Sequence, residues 1–451
     1  MSRVLPLPIS EAEADAAFDR LARLSHVVLA VSGGPDSMAL MLLAAEWRAR
    51  AKFAGPSLSV ATVDHGLRPE SRFEAELVGQ AARQLDLPHA ILTWEGAKPR
   101  TGVAAAAREA RYRLLAEHAR GIGDGNVAIA TAHHLDDQAE TFVMRLARGA
   151  GIDGLSGMRI ERPITERSRI TLARPLLGFE KARLVAAVAQ RDVVYVEDPS
   201  NTDDRYERAR VRSALSGLGE AGLSPQALAT SARRLSDARE ALAYAERHFI
   251  ASLNLSFGNE VFATFDRRAF DDGPAFLRQK VMARLIARFG GDSPEPQLSE
   301  IEALAARLRG EEKCAATLGG AMVSAGPRFI RIWREAGRLD HSEVELPPRA
   351  VRIWDNRFAL CWSAENSGLG SQLNGGRTIT VKPLGSAAYG AILPRLRAES
   401  RPPARAAAAL PSFWTGDQLV AAPSLAPFAL PEAEPLDPAG FELTPLASVT
   451  S

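Results

Sequence analysis

Between His26 and Arg148 the chain alternates short β-branched, aliphatic runs with longer stretches of helical periodicity. His26-Val-Val-Leu-Ala-Val31 leads into a helical pattern from Asp36 to Arg50, and Leu58-Ser-Val-Ala-Thr-Val63 into one from about Glu70 to Leu85. Ala90-Ile-Leu-Thr-Trp94 precedes a helical run from Val103 to Ala119, and Val127-Ala-Ile-Ala-Thr131 one from Leu135 to Arg148. Strands that are apolar on both faces and separated by helices predict a parallel sheet covered on both sides, a doubly wound, Rossmann-like α/β domain. In such sheets ligands gather outside the carboxyl ends of the strands, so the polar residues after each strand carry the candidate chemistry.

From about Leu223 to Arg309 the pattern becomes helical, with Ser224-Pro225 as cap and first turn of a long helix reaching about Leu253. Gly319-Gly320 reads as a hairpin turn and Phe329–Trp333 as a strand. Past Pro347-Pro348, Val351–Trp354, Phe358–Trp362 and Thr378–Val381 read as strands of a smaller α+β unit. The expected division is a catalytic domain over 1–215, a mainly helical domain over 216–340, a small C-terminal domain over 345–425 and a tail over 426–451. The last 25 residues hold five prolines and four acids and no Lys or Arg, a composition that predicts disorder.

Composition narrows the class. With 451 residues, 46 % apolar and 24 % charged, the chain is an ordinary multi-domain globular protein. It shows neither a bilayer-spanning apolar run nor the apolar core of a signal peptide, and no membrane partner is expected. Two distant cysteines, Cys314 and Cys361, fit a reducing compartment, so the expected location is the cytoplasm. A net charge of +1 announces no nucleic acid globally, but Thr141–Arg183 carries nine Lys or Arg against four acids. Arg205, Arg208, Arg210 and Arg212 follow.

The first strand runs into Ser32-Gly33-Gly34-Pro35-Asp36-Ser37, where a helix begins. Strand, glycine turn and helix start together present free backbone N–H groups, backed by the helix dipole, to a phosphate. Ser32 and Ser37 add hydroxyls. Asp36 is misplaced beside an anion unless Mg²⁺ bridges the two. The G-x-x-x-x-G-K-[ST] pattern is absent and no lysine is near in sequence, which suits a diphosphate cradle and cleavage between the α and β phosphates of ATP.

These six residues resemble the S-G-G-x-D-S signature of PP-loop ATPases, whose members adenylate a carbonyl-type carbon and release pyrophosphate. Val63-Asp64-His65-Gly66-Leu67-Arg68 and Thr131-Ala132-His133-His134-Leu135-Asp136-Asp137-Gln138-Ala139-Glu140 are similar to the corresponding runs of tRNA(Ile)-lysidine synthetases. So are Gly149–Met158, Arg174-Pro-Leu-Leu177, Asp198-Pro-Ser-Asn-Thr-Asp203 and, in the C-terminal unit, Leu410-Pro-Ser-Phe-Trp-Thr-Gly416. The resemblance spans most of residues 25–425. It implies that ATP adenylates C2 of the wobble cytidine in the CAU anticodon of tRNA(Ile), that free L-lysine displaces AMP, and that the product lysidine reads AUA in place of AUG. A homodimer is compatible with this family.

Site expectations follow. ATP is assigned to Ser32, Gly33, Gly34, Pro35, Asp36, Ser37, Asp64 and His65, and Mg²⁺ to Asp36 and Asp137. Lysine is assigned to Asp137, Glu140 and Arg111, and catalysis to Asp36, His133, Asp137, Arg111 and Arg208. His133, Asp137 and Glu140 share a helix face by spacing, a set that would also suit Zn²⁺. Arg108 and Arg111 are three apart on one helix. The glycines from Gly149 to Gly157 read equally as linker or as a flap. Two departures from the family pattern stand out: Val103-Ala-Ala-Ala106 where polar side chains are expected, and Ala209 for the usual Asn. Among rival classes, tRNA thiolation commonly uses cysteines near ATP, and none precedes Cys314. An amide ligase would not need the later modules, and a plain RNA-binding protein has no use for Asp36, Asp136 and Asp137.

Overall fold

The computed structural model describes residues 6–51, 55–68, 70–99, 101–123, 126–165, 168–196, 207–219, 222–310, 312–340, 342–363, 378–433, 435–436 and 439–446. Two compact units, Met1–Glu240 and Ala241–Ser451, make up the chain. In the first unit α1 (Glu11–Phe18), β1 (His26–Ala30), α2 (Pro35–Arg50), β2 (Ser57–Asp64), α3 (Ser71–Gln84) and β3 (His89–Thr93) come first. There follow α4 (Val103–Ile122), β4 (Val127–Ala130), α5 (Leu135–Leu146), α6 (Ile152–Leu155), β5 (Glu161–Pro163) and β6 (Thr171–Ala173). Finally come α7 (Lys181–Ala189), α8 (Glu207–Leu218) and α9 (Pro225–Ser252), the helix in which the division between units falls.

The six strands form one sheet in the order β3-β2-β1-β4-β6-β5. Every pairing is parallel except that of β5 with β6 at the edge. Alternate residues of β1 feed opposite cores. Val27 and Leu29 pack with α1, α2 and α7, whereas Val28 packs with Leu115, Ala116 and Ala119 of α4. That is the doubly wound α/β arrangement expected from unalternating apolar strands. The strand order reverses between β1 and β4, and a crevice opens at such a reversal. The segments leaving β1 and β4, Ser32–Ser37 and Thr131–Asp137, therefore stand side by side for topological reasons.

In the second unit β7 (Ser256–Gly258), β8 (Phe262–Asp266), α10 (Arg267–Asp272), α11 (Ala275–Gly290) and α12 (Leu298–Gly310) precede β9 (Cys314–Leu318), β10 (Ala321–Ala325) and β11 (Phe329–Arg334). An antiparallel sheet ordered β7-β8-β11-β10-β9 packs on these helices, so the stretch expected to be mainly helical is a mixed layer. Its β9–β10 hairpin turns at Gly319 and Gly320, both at positive φ. Beyond it lie β12 (Val344–Glu345), β13 (Arg352–Trp354), β14 (Phe358–Trp362), β15 (Thr380–Pro383), α13 (Gly385–Ile392), α14 (Ala404–Ala408), β16 (Pro411–Thr415), β17 (Gln418–Ala421) and β18 (Phe441–Pro445). β18 lies in the segment whose composition predicted disorder. It pairs with β14, and Phe441 buries itself against Phe413 and Trp362. One aromatic anchor outweighs the prolines and acids around it.

Candidate active site

The turn after β1 is built around Gly33, whose φ of 90° is unfavourable for any residue with a Cβ. It carries the chain from β1 to Gly34, the N-cap of α2, where Pro35 presets the first helical turn. Gly34 offers no side-chain cap, so the first-turn N–H groups of Asp36 and Ser37 face the crevice without an intrahelical acceptor. Ser37 Oγ accepts from the Ser32 amide at 3.1 Å and donates to the Gly34 carbonyl at 2.9 Å, holding the cradle in shape. Ser32 and Ser37 hydroxyls lie 3.4 Å apart. The opposite side of the loop is tied by Val196, whose amide donates to the Gly33 carbonyl.

Across the crevice the chain leaves β4 as Thr131–His134 and enters α5. His134, the α5 N-cap, is only 2 % exposed, and three carboxylates surround its ring. Nε2 lies 3.6 Å from Asp36 and 3.5 Å from Asp137, and Nδ1 lies 3.5 Å from Asp136. Burial pulls the His134 pKa down, but hydrogen bonds to Asp136 and Asp36 with the charges of Asp137 and Asp36 overcome it and raise it to about 9. The ring is thus an imidazolium, and both its nitrogens donate. Of the reciprocal α5 cap, the half compatible with that charge is the Asp137 carboxylate accepting from the His134 amide at 3.0 Å. Burial works against the charges of Asp136 and Asp137, yet their pKa values fall because His134 faces both, aided by Lys181 N–H at Asp136 and Arg208 at Asp137.

His133 and His134 are adjacent in sequence and opposite in state. His133 precedes α5, so it does not share the helix face of Asp137 and Glu140 that its spacing suggested. Its Nδ1 meets Thr131 Oγ1 at 2.9 Å. Burial, opposed by Asp137 and reinforced by Arg174, Arg208 and Arg108, depresses its pKa to about 3. It is a neutral imidazole at the wall of a cleft of about 460 Å³, lined by eight arginines (among them Arg108, Arg174, Arg208 and Arg239) and by Asp153. Arg145, Arg148, Arg159, Arg162 and Arg174 of the basic stretch, with Arg208, thus line one cavity beside His133.

Glu140, 1 % exposed, is engaged on both oxygens: Arg208 Nε and Arg212 Nε each stand 2.7 Å away. Arg208 also reaches Asp137 at 3.1 Å. These pairs clamp α8 onto α5, and an ammonium approaching Glu140 has to displace an arginine. Arg205 and the Asp198–Asp203 run lie outside the described residues.

Asp64 and His65 at the end of β2 form a separate group with Arg111 from the middle of α4. Asp64 Oδ1 accepts from the Gly66 amide at 2.9 Å and from Ser71 at 2.5 Å, which shapes the turn after β2. Arg111 approaches His65 Nε2 at 3.3 Å, and His65 meets Trp94 edge-on. Burial and then the Arg111 charge lower the His65 pKa to about 4. Arg108 turns instead over the Tyr112 ring on the cleft side. The glycine segment read as a flap is anchored at its far end, where the Gln138 amide side chain exchanges two hydrogen bonds with the Met158 backbone.

His134, Gln138 and Lys181 received no site role from the sequence, and Asp136 was singled out there only as a carboxylate of no use to a plain RNA-binding protein. His134 and Asp136 carried a detectable signal in their place directly after a strand. Lys181 carried none. It reaches Asp36 at 3.4 Å from the start of α7, and its own amide donates to Asp136 at 2.8 Å.

A divalent cation fits this set. Asp36 Oδ1 is buried with no hydrogen-bond partner, and its hard oxygens suit Mg²⁺. Among the described residues no group of three or more His, Cys, Asp or Glu forms a protein-only metal site, so phosphate oxygens and water would complete the shell. Among the described residues, too, no helix is long and apolar enough to cross a membrane.

A glycine-turned cradle at a sheet reversal, with carboxylates beside it and no P-loop lysine, defines an ATP-using PP-loop domain. The model of the PP-loop domain family matches residues 7–217. A tRNA(Ile)-lysidine synthase from Bradyrhizobium sp. is 45 % identical over 72 % of this chain and 94 % of its own length. That of Rhodopseudomonas palustris is 43 % identical over 76 % and 97 %, and that of Ruegeria pomeroyi 37 % over 88 % and 87 %. The chain belongs to the tRNA(Ile)-lysidine synthase family and is an ATP-dependent ligase.

Proposed function

We propose that this enzyme joins free lysine to C2 of the wobble cytidine in a CAU-anticodon tRNA(Ile) through an adenylated intermediate. The observation that carries the reading is the meeting, at the β1–β4 reversal, of an uncapped diphosphate cradle with a cluster of carboxylates and an arginine-lined cleft. Amides of Asp36 and Ser37, with the Ser32 and Ser37 hydroxyls, hold the β and γ phosphates. Asp36 and Asp137 would hold Mg²⁺, which draws charge from the phosphate oxygens. Oxygen O2 of the cytidine attacks the α-phosphorus and pyrophosphate leaves. The lysine ε-amine then adds at C2, AMP departs, and the amine loses a proton.

Neutral His133 faces the cleft with Nε2 free to donate to or accept from the base. An imidazolium there would repel the cleft arginines, which is why neutrality suits the site. Asp137 is the carboxylate for the incoming ammonium, and Glu140 acts behind it by fixing Arg208 and Arg212. Arg111, poised by His65, serves the far side of the nucleotide. Arg108, Arg174 and the other cleft arginines receive RNA phosphates, while the anticodon bases are read in an opened loop.

Incubation with ATP, lysine and CAU-anticodon tRNA(Ile), followed by mass analysis of the nucleosides, is expected to show lysidine dependent on all three. Cytidine left unchanged under conditions where the protein binds ATP and tRNA would sink the proposal.

A further inference from the structure

We propose that Lys181 is the cation that takes up the leaving pyrophosphate, exchanging Asp36 for the departing anion. This rests on the adenylation reading above and names a binding group for it. The SGGPDS loop has no lysine of its own, so the charge that develops during α–β cleavage needs a cation from elsewhere in the fold. As the bond from O2 of the base to the α-phosphorus forms, the bond from that phosphorus to the α–β bridging oxygen breaks. The electron pair stays on the bridging oxygen, and the β-phosphate becomes more negative. A fixed or arriving cation there lowers the barrier.

Among the described residues, four basic side chains stand near the cradle, and their mobility differs. His134 is wedged between three carboxylates and 3 % exposed in its side chain. Arg208 and Arg212 are committed to Glu140. Lys181 has a side chain 37 % exposed and, among the described residues, one ion pair, at 3.4 Å to Asp36. Its backbone is meanwhile anchored to Asp136. The base of the side chain is therefore fixed while its flexible four-carbon stem is free to swing. In the ligand-free chain Lys181 shares Asp36 with His134. When a ligand cation satisfies Asp36, whose Oδ1 is already bare, the ammonium is released to the phosphates.

The test is binding of inorganic pyrophosphate with Mg²⁺ to the full chain by calorimetry, alongside pyrophosphate inhibition of tRNA-dependent turnover. Lys181→Met is expected to weaken pyrophosphate binding about ten- to a hundredfold, the size of a lost charge-assisted hydrogen bond, and to raise KM for ATP. Lys181→Arg should restore most of it, which a purely structural role would not require. Equal pyrophosphate affinity in wild type and Lys181→Met overturns the role of Lys181 and leaves the adenylation reading intact. A wild-type protein that binds neither ATP nor pyrophosphate brings down both.

Discussion

At the scale of single residues, neighbouring histidines show how little identity says about charge. His133 and His134 share a strand end, yet one is held neutral by burial among arginines and the other charged by three carboxylates. The sign of the consequence follows from linkage. His134 has a folded-state pKa of about 9, above its ordinary value of 6.5, so its stabilising contribution is complete below pH 6.5 and disappears as pH rises through 9. The groups facing it are Asp36, Asp136 and Asp137, with Lys181 beside them sharing Asp36. Urea unfolding between pH 6 and pH 10 should show wild type losing about 3 kcal/mol more than His134→Gln over that window. Parallel pH profiles for the two proteins would contradict the imidazolium.

At the scale of elements, α8 is held on α5 both by an apolar face and by one buried carboxylate. Leu215 packs into a small cluster with Ala139 and Phe142 of α5, while Glu140 accepts from both α8 arginines. Removing Glu140 takes from both arginines their shared anion, but each is 39 % exposed and can turn to water, so the cost is about 1 kcal/mol. Glu140→Ala is therefore expected to raise amide hydrogen exchange across Glu207–Leu218, with β1 and β4 still protected. Unchanged exchange in α8 would show that apolar packing alone holds it. The long-range part of this clamp explains why Glu140 read in sequence as a ligand for lysine: spacing put it on the Asp137 face, and no local pattern announced Arg208 and Arg212 as its partners.

At the scale of the whole molecule, each unit has its own organising centre. In the second unit Arg334, at the end of β11, is 2 % exposed and forks onto Asp355 at 2.6 and 2.8 Å. Asp355 and Asn356 both adopt positive φ in the tight turn from β13 to β14. A buried ion pair thus joins the five-stranded sheet to the C-terminal strands, beside the packing of Val261 and Trp333 against Leu384 and Trp414. Asp355→Ala should destabilise the second unit by about 3–5 kcal/mol, read as a lower urea midpoint, because Arg334 would remain buried without its anion. A midpoint within error of wild type would show that the surrounding carbonyls suffice. The charge pattern has the same character: a chain of net charge +1 still concentrates eight arginines on one cleft.

Periodicity and local motifs made the parallel sheet, the phosphate loop and the long α9 legible, because each depends on contacts within a few residues or on which faces are apolar. The antiparallel β5–β6 edge and β18 were not, since three- and five-residue strands are made by their partners more than by their own pattern. The protonation of His134, the engagement of Glu140 and the approach of Lys181 to Asp36 were out of reach for a stronger reason. Charge state and pairing depend on burial and on distances between segments far apart in the chain. Those come into existence when the β1–β4 reversal brings the strand ends together.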